Sequence, residues 1–355
     1  MVRKNIFEKV FMVFHLLPKF WYLNCPYISR GAKKSIKINM EVKWIMKLNE
    51  WLDKWTNTYI KHNVKQRSMN TYMQLIEKHI KPALGEYELE DLSAQVLQDF
   101  VYSELEKGNL KTGKALANNT VIVMTNILKQ AIDEANNMEV TNKNCSKKIK
   151  MPPQEEKQVT AFERSEQDKI VKYCLENKKD NYFGIVLCLY SGLRIGELLA
   201  LTWDDVDFER NYITISKAAY QGKKDGKIQI LVDTPKTKNS NRVIPLPKTI
   251  MDILKKMKKK STSKYVITTR HNTMVGTRSY QRTFEKILAK LDIPYKNFHS
   301  LRHTFATRAI EMGMDVKSVS EILGHKNPMI TLNRYTHSLM SYKTEMMNKL
   351  GKALA

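Results

Sequence analysis

Between Asn142 and Val159 the chain loses its apolar period. Lys147, Lys148 and Lys150 crowd together, Pro152 and Pro153 follow, then Glu155 and Glu156, with nothing spaced to bury a face. This break separates two stretches of different rhythm. Upstream, apolar residues recur at helical spacing; downstream, helical spacing alternates with the two-residue rhythm of strands. A chain of 355 residues that is 42% hydrophobic has material for two or three cores, so each stretch reads as its own unit.

In the upstream stretch, Trp44, Leu48, Trp51 and Trp55 fall on one helical face, which we read as core packing. A second helix is expected from about Ser68 to Ile80, closed by Pro82 and Gly85. Ser93 caps a third, which stops at Gly108. A fourth spans roughly Asn119 to Asn136, with Ile122, Ile127, Leu128 and Ala131 inward. These make an all-helical domain over residues 43–141, with a linker at 142–159. Ahead of it, residues 1–42 hold an apolar run, Val10 to Leu23, interrupted by His15, Pro18 and Lys19. The run is too short to span a bilayer and lacks a small-residue cleavage site, so it reads as a cytoplasmic, partly buried segment. Lys33, Lys34 and Lys37 after it suit DNA or solvent equally.

Downstream, Thr160 with Glu163 and Ser165 with Asp168 resemble helix starts. Helices are expected at about 165–178, 181–191 and 195–201. Tyr212–Ile215, Ile228–Val232 and Val243–Leu246 read as strands of one small antiparallel sheet. Beyond Lys248 the helical rhythm returns, giving a second domain over 160–337 and a helical tail over 338–355. The fold class is therefore mainly α with a small antiparallel β-sheet.

Sixty Lys and Arg against 36 Asp and Glu leave a net charge of +24, which favours a polyanionic partner through counterion release. The four cysteines, Cys25, Cys145, Cys174 and Cys188, form no Cys-x-x-Cys pair, so reduced thiols are the default.

Metal-free cleavage of a phosphodiester needs cationic donors on the non-bridging oxygens, an in-line nucleophile and an acid at the leaving oxygen. Arg194 and Arg302 suit the first task, because guanidinium is planar, permanently charged and forks onto two oxygens. Against this, Glu197 lies three residues after Arg194 and offers it a local partner. His299 shares a helical face with Arg302, and His325 follows the turn-forming Gly324; either histidine can donate to phosphate or carry a proton. Tyr335, ten residues after His325, is the candidate nucleophile. Lys236 or Lys238, on what reads as a β-hairpin, is the candidate acid. Lys238, Arg242, Arg278 and Arg282 are further DNA-contact candidates, while the run from Lys255 to Lys260 is read as a solvated face. His303 and His337 are structural or secondary contacts. The histidines lack zinc-site spacing and carboxylate or thiol partners, so no metal site is expected.

Taken together, Ser191-Gly192-Leu193-Arg194-Ile195-Gly196-Glu197-Leu198, the Thr234–Leu246 segment, His299-Ser300-Leu301-Arg302-His303, Leu323-Gly324-His325 and Asn333-Arg334-Tyr335-Thr336-His337 resemble the tyrosine recombinase (phage integrase) family. The likeness runs from about residue 45 to 340 and is greatest to integrases of conjugative transposons and prophages of Gram-positive bacteria. Ser68 to Leu84, with Thr71-Tyr72 and His79-Ile80-Lys81-Pro82, looks like the family's helical, SAM-like core-binding domain.

The resemblance implies a core-binding and a catalytic domain clamped on DNA. It implies a site-specific recombinase that integrates or excises a mobile element through a 3′-phosphotyrosyl intermediate, with a 5′ hydroxyl released and no ATP, metal or cofactor. Arg194, Lys236, His299, Arg302 and His325 would activate the phosphate and move protons, with Lys236 preferred over Lys238 as the acid and Tyr335 as nucleophile. All six positions carry the expected residue type, which favours an active enzyme over a non-catalytic regulator on the same fold; the other alternative is a type IB topoisomerase-like nicking and closing activity. The implied partners are duplex attachment sites, three further copies of the chain in a tetramer on DNA, and accessory excision or DNA-bending proteins, in the bacterial cytoplasm and away from membranes. Residues 1–42 lack the strand, turn and aromatic pattern of the family's arm-binding domain and read as a divergent or truncated version of it. The tail would dock on a neighbouring protomer or pack within its own chain.

Overall fold

The computed structural model describes residues 46–64, 66–154, 161–177, 179–224, 227–233, 241–325, 327–329, 331–332, 344, 347–352 and 354. The N-terminal segment, Trp44, Lys236, Lys238, Tyr335 and His337 lie outside these residues.

The helical unit begins with α1, Leu48–Trp55, which runs on through a π turn, Thr56–Ile60, to Asn63. Its stripe is buried as expected: Leu48, Trp51, Leu52 and Trp55 all face the core. Trp51 also satisfies its indole N–H on the Ala131 carbonyl, 2.7 Å away. Helix α2, Gln66–Leu75, likewise passes through a π turn, Ile76–Ile80, into a last turn, Lys81–Leu84. Pro82 therefore does not close this helix. It sits at the start of a fresh α turn, where its missing N–H costs nothing, and the run ends at Gly85. Ser93 caps α3, Ala94–Lys107, by accepting from the Val96 amide. Helix α4, Asn118–Asn137, buries Val121, Met124, Ile127, Leu128, Ala131 and Ile132, with Ile122 at the margin.

The chain stays attached to this unit further than its composition suggests. Ser146 donates to Asp133 at 2.5 Å, the Asn142 amide donates to Glu90 at 2.9 Å, and Ile149 joins the helical core. Lysines outnumber apolar residues here, but one isoleucine and a set of short polar anchors are enough to hold the segment down.

The second unit opens with α5, Arg164–Glu176. Glu163, not Ser165, marks its start, donating its amide to Glu166 at 2.8 Å. Helix α6, Phe183–Ser191, is apolar and buried on every side but that of Tyr190, as suits a central helix. Helix α7, Ile195–Ala200, follows. The strands form two sheets rather than one. β1 (Val206–Asp207), β2 (Tyr212–Ile215) and β5 (Arg242–Pro245) make an antiparallel sheet in the order β1-β2-β5, with Ile213 opposite Ile244. β3 (Ala218–Lys224) and β4 (Lys227–Asp233) pair with each other as a separate hairpin. Helices α8 (Lys248–Lys260), α9 (Thr277–Lys290), α10 (His299–Glu311) and α11 (Val316–Leu323) complete the described fold. Among the described residues no helix is long and apolar enough to cross a membrane.

Candidate active site

Four segments far apart in sequence meet where α11 ends. Gly324 takes the left-handed conformation, φ 66°, and closes the helix. The last carbonyls of a helix have no partners within it and carry the negative end of its dipole. Here three successive ones each receive an arginine. Ile322 accepts from Nε of Arg242 at 2.6 Å, Leu323 from Nη2 of Arg302 at 2.6 Å, and Gly324 from Nη2 of Arg194 at 3.3 Å. The two arginines singled out by chemistry, 108 positions apart in the chain, thus meet on adjacent carbonyls.

Arg302 comes from α10 and is 2% exposed. Its Nη1 donates to the Gly192 carbonyl at 2.9 Å. Gly192 ends α6 at φ 64°, and a side chain there would meet Phe305 and Leu323 at 2.6 and 2.7 Å, so backbone and space both require glycine. Two residues on, Arg194 opens α7. Its amide and its Nη1 both bond Glu197, at 2.9 and 2.8 Å.

Glu197 is the residue that sequence reading placed only as a local partner of Arg194. It is buried and takes a second guanidinium, that of Arg242, through two bonds of 3.1 and 2.8 Å. Burial alone would raise its carboxyl; the hydrogen bonds and charge of Arg242, with the charge of Arg194, outweigh that and hold its pKa at about 2. Arg242, expected among the DNA contacts, is turned inward because it shares the inner face of β5 with Ile244. The alternation of that strand was the available signal.

His299, the first residue of α10, is exposed, and its ring meets that of His303 edge-on at 4.6 Å. His325 shares a 2.8 Å hydrogen bond between Nδ1 and the hydroxyl of the buried Thr331, a partner that no motif announced. Helix α10 is itself braced from the start of the domain. The Phe162 amide donates to the Thr304 hydroxyl at 2.8 Å, Arg308 donates to the Phe162 carbonyl at 2.7 Å, and Lys296 pairs with Glu166 at 2.5 Å. Arg278 and Arg282 lie exposed on α9, away from its buried Tyr280 and Phe284. The β3–β4 hairpin is described as far as Asp233, and the reading of Lys236 and Lys238 as hairpin residues lies outside the described residues.

This arrangement concentrates three guanidiniums and the His325 imidazole around one helix end, a setting suited to a phosphate. Residues 150–341 match the phage integrase family, and residues 47–105 match the phage integrase N-terminal SAM-like domain. The chain belongs to the phage integrase family. It is a tyrosine-type site-specific recombinase. Among curated members, a XerC-like tyrosine recombinase of Caldanaerobacter subterraneus is 29% identical over 299 residues, covering 78% of this chain and 76% of the relative. The ICEBs1 integrase of Bacillus subtilis is 26% identical over 291 residues, covering 79% and 76%. The transposase of transposon Tn916 from Enterococcus faecalis is 28% identical over 211 residues, covering 54% and 51%. The fold agrees with the Tn1549 integrase solved with a circular intermediate DNA, at a TM-score of 0.72, 22% identity, and coverage of 85% of this chain and 99% of that one. It also agrees with a lambda integrase tetramer bound to a Holliday junction, at a TM-score of 0.62, 18% identity, and coverage of 92% and 88%.

Proposed function

We propose that this integrase joins the ends of a mobile element to other DNA by cutting and resealing strands through a 3′-phosphotyrosyl bond on Tyr335. The observation that carries this is the meeting of Arg194 and Arg302 on the Leu323–Gly324 turn, beside His325. Two guanidiniums fixed there would grip the non-bridging oxygens of one phosphate and offset the charge that grows as it becomes five-coordinate. The Tyr335 oxygen attacks the phosphorus in line, and the bond to the 5′ oxygen breaks. Lys236 gives that oxygen its proton, leaving a 5′ hydroxyl, while His299 and His325 donate to the phosphate or handle the tyrosine proton. A 5′ hydroxyl from a second duplex then attacks the phosphotyrosine and regenerates Tyr335. One phosphate ester replaces another at each step, so no external energy source is needed.

The partners we propose are duplex attachment sites, a tetramer of this chain on paired sites, and accessory excision or DNA-bending proteins. Within each protomer, residues 43–141 would grip the core site opposite the 160–337 domain, with 142–159 connecting them, residues 1–42 serving as a divergent arm-binding segment, and residues 338–355 docking on a neighbour. Arg278, Arg282 and Lys238 would touch DNA, in the bacterial cytoplasm. That solved integrases of this fold are bound to DNA, one of them as a tetramer, supports this reading. Strand exchange between two duplexes carrying the element's ends is the test. Joint products that require both ends are expected. Relaxation of plasmids lacking the ends, without joint products, would point instead to a topoisomerase, and binding without cleavage to a regulator.

A further inference from the structure

Beside the two arginines of the proposed phosphate site lies a third, Arg242, which the chemistry above does not use. Its side chain is 6% exposed, against 40% for Arg194, yet both pair with the same carboxylate. They do so unequally. Arg242 forks onto Glu197, with Nη1 on one oxygen at 3.1 Å and Nη2 on the other at 2.8 Å. The Arg194 side chain reaches only one of those oxygens, through Nη1 at 2.8 Å, and its Nη2 settles for the Gly324 carbonyl at 3.3 Å. A third bond, from Nε of Arg242 to Ile322, and close packing of its guanidinium against Gly324 fix this division. A bidentate guanidinium–carboxylate pair is the stronger contact, so the carboxylate is satisfied mainly from the protein interior.

We propose that Arg242 is a positioning residue: by holding Glu197 in a buried fork, it keeps the half-exposed Arg194 guanidinium available to a substrate phosphate. The proposal rests on the reading of Arg194 as a phosphate ligand. Without Arg242, Glu197 remains a buried anion that, among the described residues, keeps Arg194 as a bonded cation. A buried carboxylate that loses its partner draws strongly on any cation in reach. Arg194 would then fork onto Glu197, and the DNA phosphate would have to compete for it. Removing the carboxylate as well should release Arg194 again. A side chain that served only to hold β5 against α11 would give no such recovery.

The experiment uses the full chain and nicked suicide DNA carrying an element end. It compares single-turnover covalent capture by the wild type, Arg242→Met, Glu197→Gln and the double variant, with DNA affinity measured in parallel. Arg242→Met should slow capture roughly 10- to 100-fold, less than the ~100- to 1,000-fold typical of deleting an electrostatic donor itself. Its DNA affinity should stay within about 2-fold, because the Arg194 contact is one among many phosphate contacts. Adding Glu197→Gln should recover at least about 5-fold of the lost rate, the mark of two coupled neighbours. Should Arg242→Met not fold, the same comparison runs on Arg242→Lys, which keeps the charge but not the fork and should fall between wild type and Met. Capture at the wild-type rate by the Arg242 variant, or a double variant no faster than the single, would overturn the proposal. No capture by the wild type on cognate ends would instead remove the phosphotyrosyl reading itself.

Discussion

At the scale of single residues, the site depends on one buried carboxylate and two glycines. Glu197 titrates at about 2 in the folded protein against an ordinary 4.5, so the unfolded chain takes up the proton first as acid is added. Its stabilising contribution is complete above about pH 5 and is lost as pH falls from 4.5 towards 2, and it amounts to about 3 kcal/mol. Denaturant titrations of wild type and Glu197→Gln across that range should show wild type losing more stability than the variant; parallel curves would contradict the assignment. Gly192→Ala should cost more than a simple helix-end change. The left-handed backbone contributes about 1–2 kcal/mol, and contact of the new methyl with Phe305 and Leu323 adds to it. Chemical denaturation reads this directly. Since the same loop carries the carbonyl that binds Arg302, cleavage should fall along with stability. Arg194 and Arg302 stood out in sequence only through the combination of motifs, and the structure brings them together at the end of α11. Glu197 was visible only as a neighbour three positions on. Its second role needed β5 to bring Arg242 from 45 residues away, and no local pattern encodes that.

At the scale of elements, the helices were legible wherever an apolar stripe met a clear cap, as in α1 with its tryptophans and α3 with Ser93. The misreadings arose where tertiary context decided. Pro82 was read as a stop, but the preceding π turn moved it to a tolerated position. Three of the five described strands were read, at Tyr212–Ile215, Ile228–Val232 and Val243–Leu246, while β1 and β3 were missed and the pairing was wrong, because alternation defines a face and says nothing about the neighbour. The stretch from Asn142 to Ile149 looked like free linker and instead packs on the helical core. A related tether matters more to the site. The Phe162 amide is held by the Thr304 hydroxyl on the helix that carries His299 and Arg302. Thr304→Val keeps the shape but strands that buried N–H, and should cost about 1–3 kcal/mol by thermal or chemical unfolding. If Thr304→Val were neutral, the brace would contribute nothing to the position of α10.

At the scale of the whole molecule, the charge of +24 and the integrase fold point the same way. DNA affinity should weaken with salt at a log–log slope near −0.9 for each phosphate neutralised. If Arg278 and Arg282 touch the backbone from α9, each alanine variant should reduce the magnitude of that slope by about 1 without changing the preferred sequence. Filter binding over a salt series would reveal it, and an unchanged slope would remove α9 from the interface. Covalent attack by Tyr335 can be read by trapping the intermediate. Purified protein is mixed with nicked DNA from the element's ends in EDTA and resolved on a denaturing gel. A protein–DNA adduct should form with wild type and disappear in Tyr335→Phe; an adduct that persists in that variant, or none from wild type that still binds the ends, would rule out Tyr335 as the nucleophile.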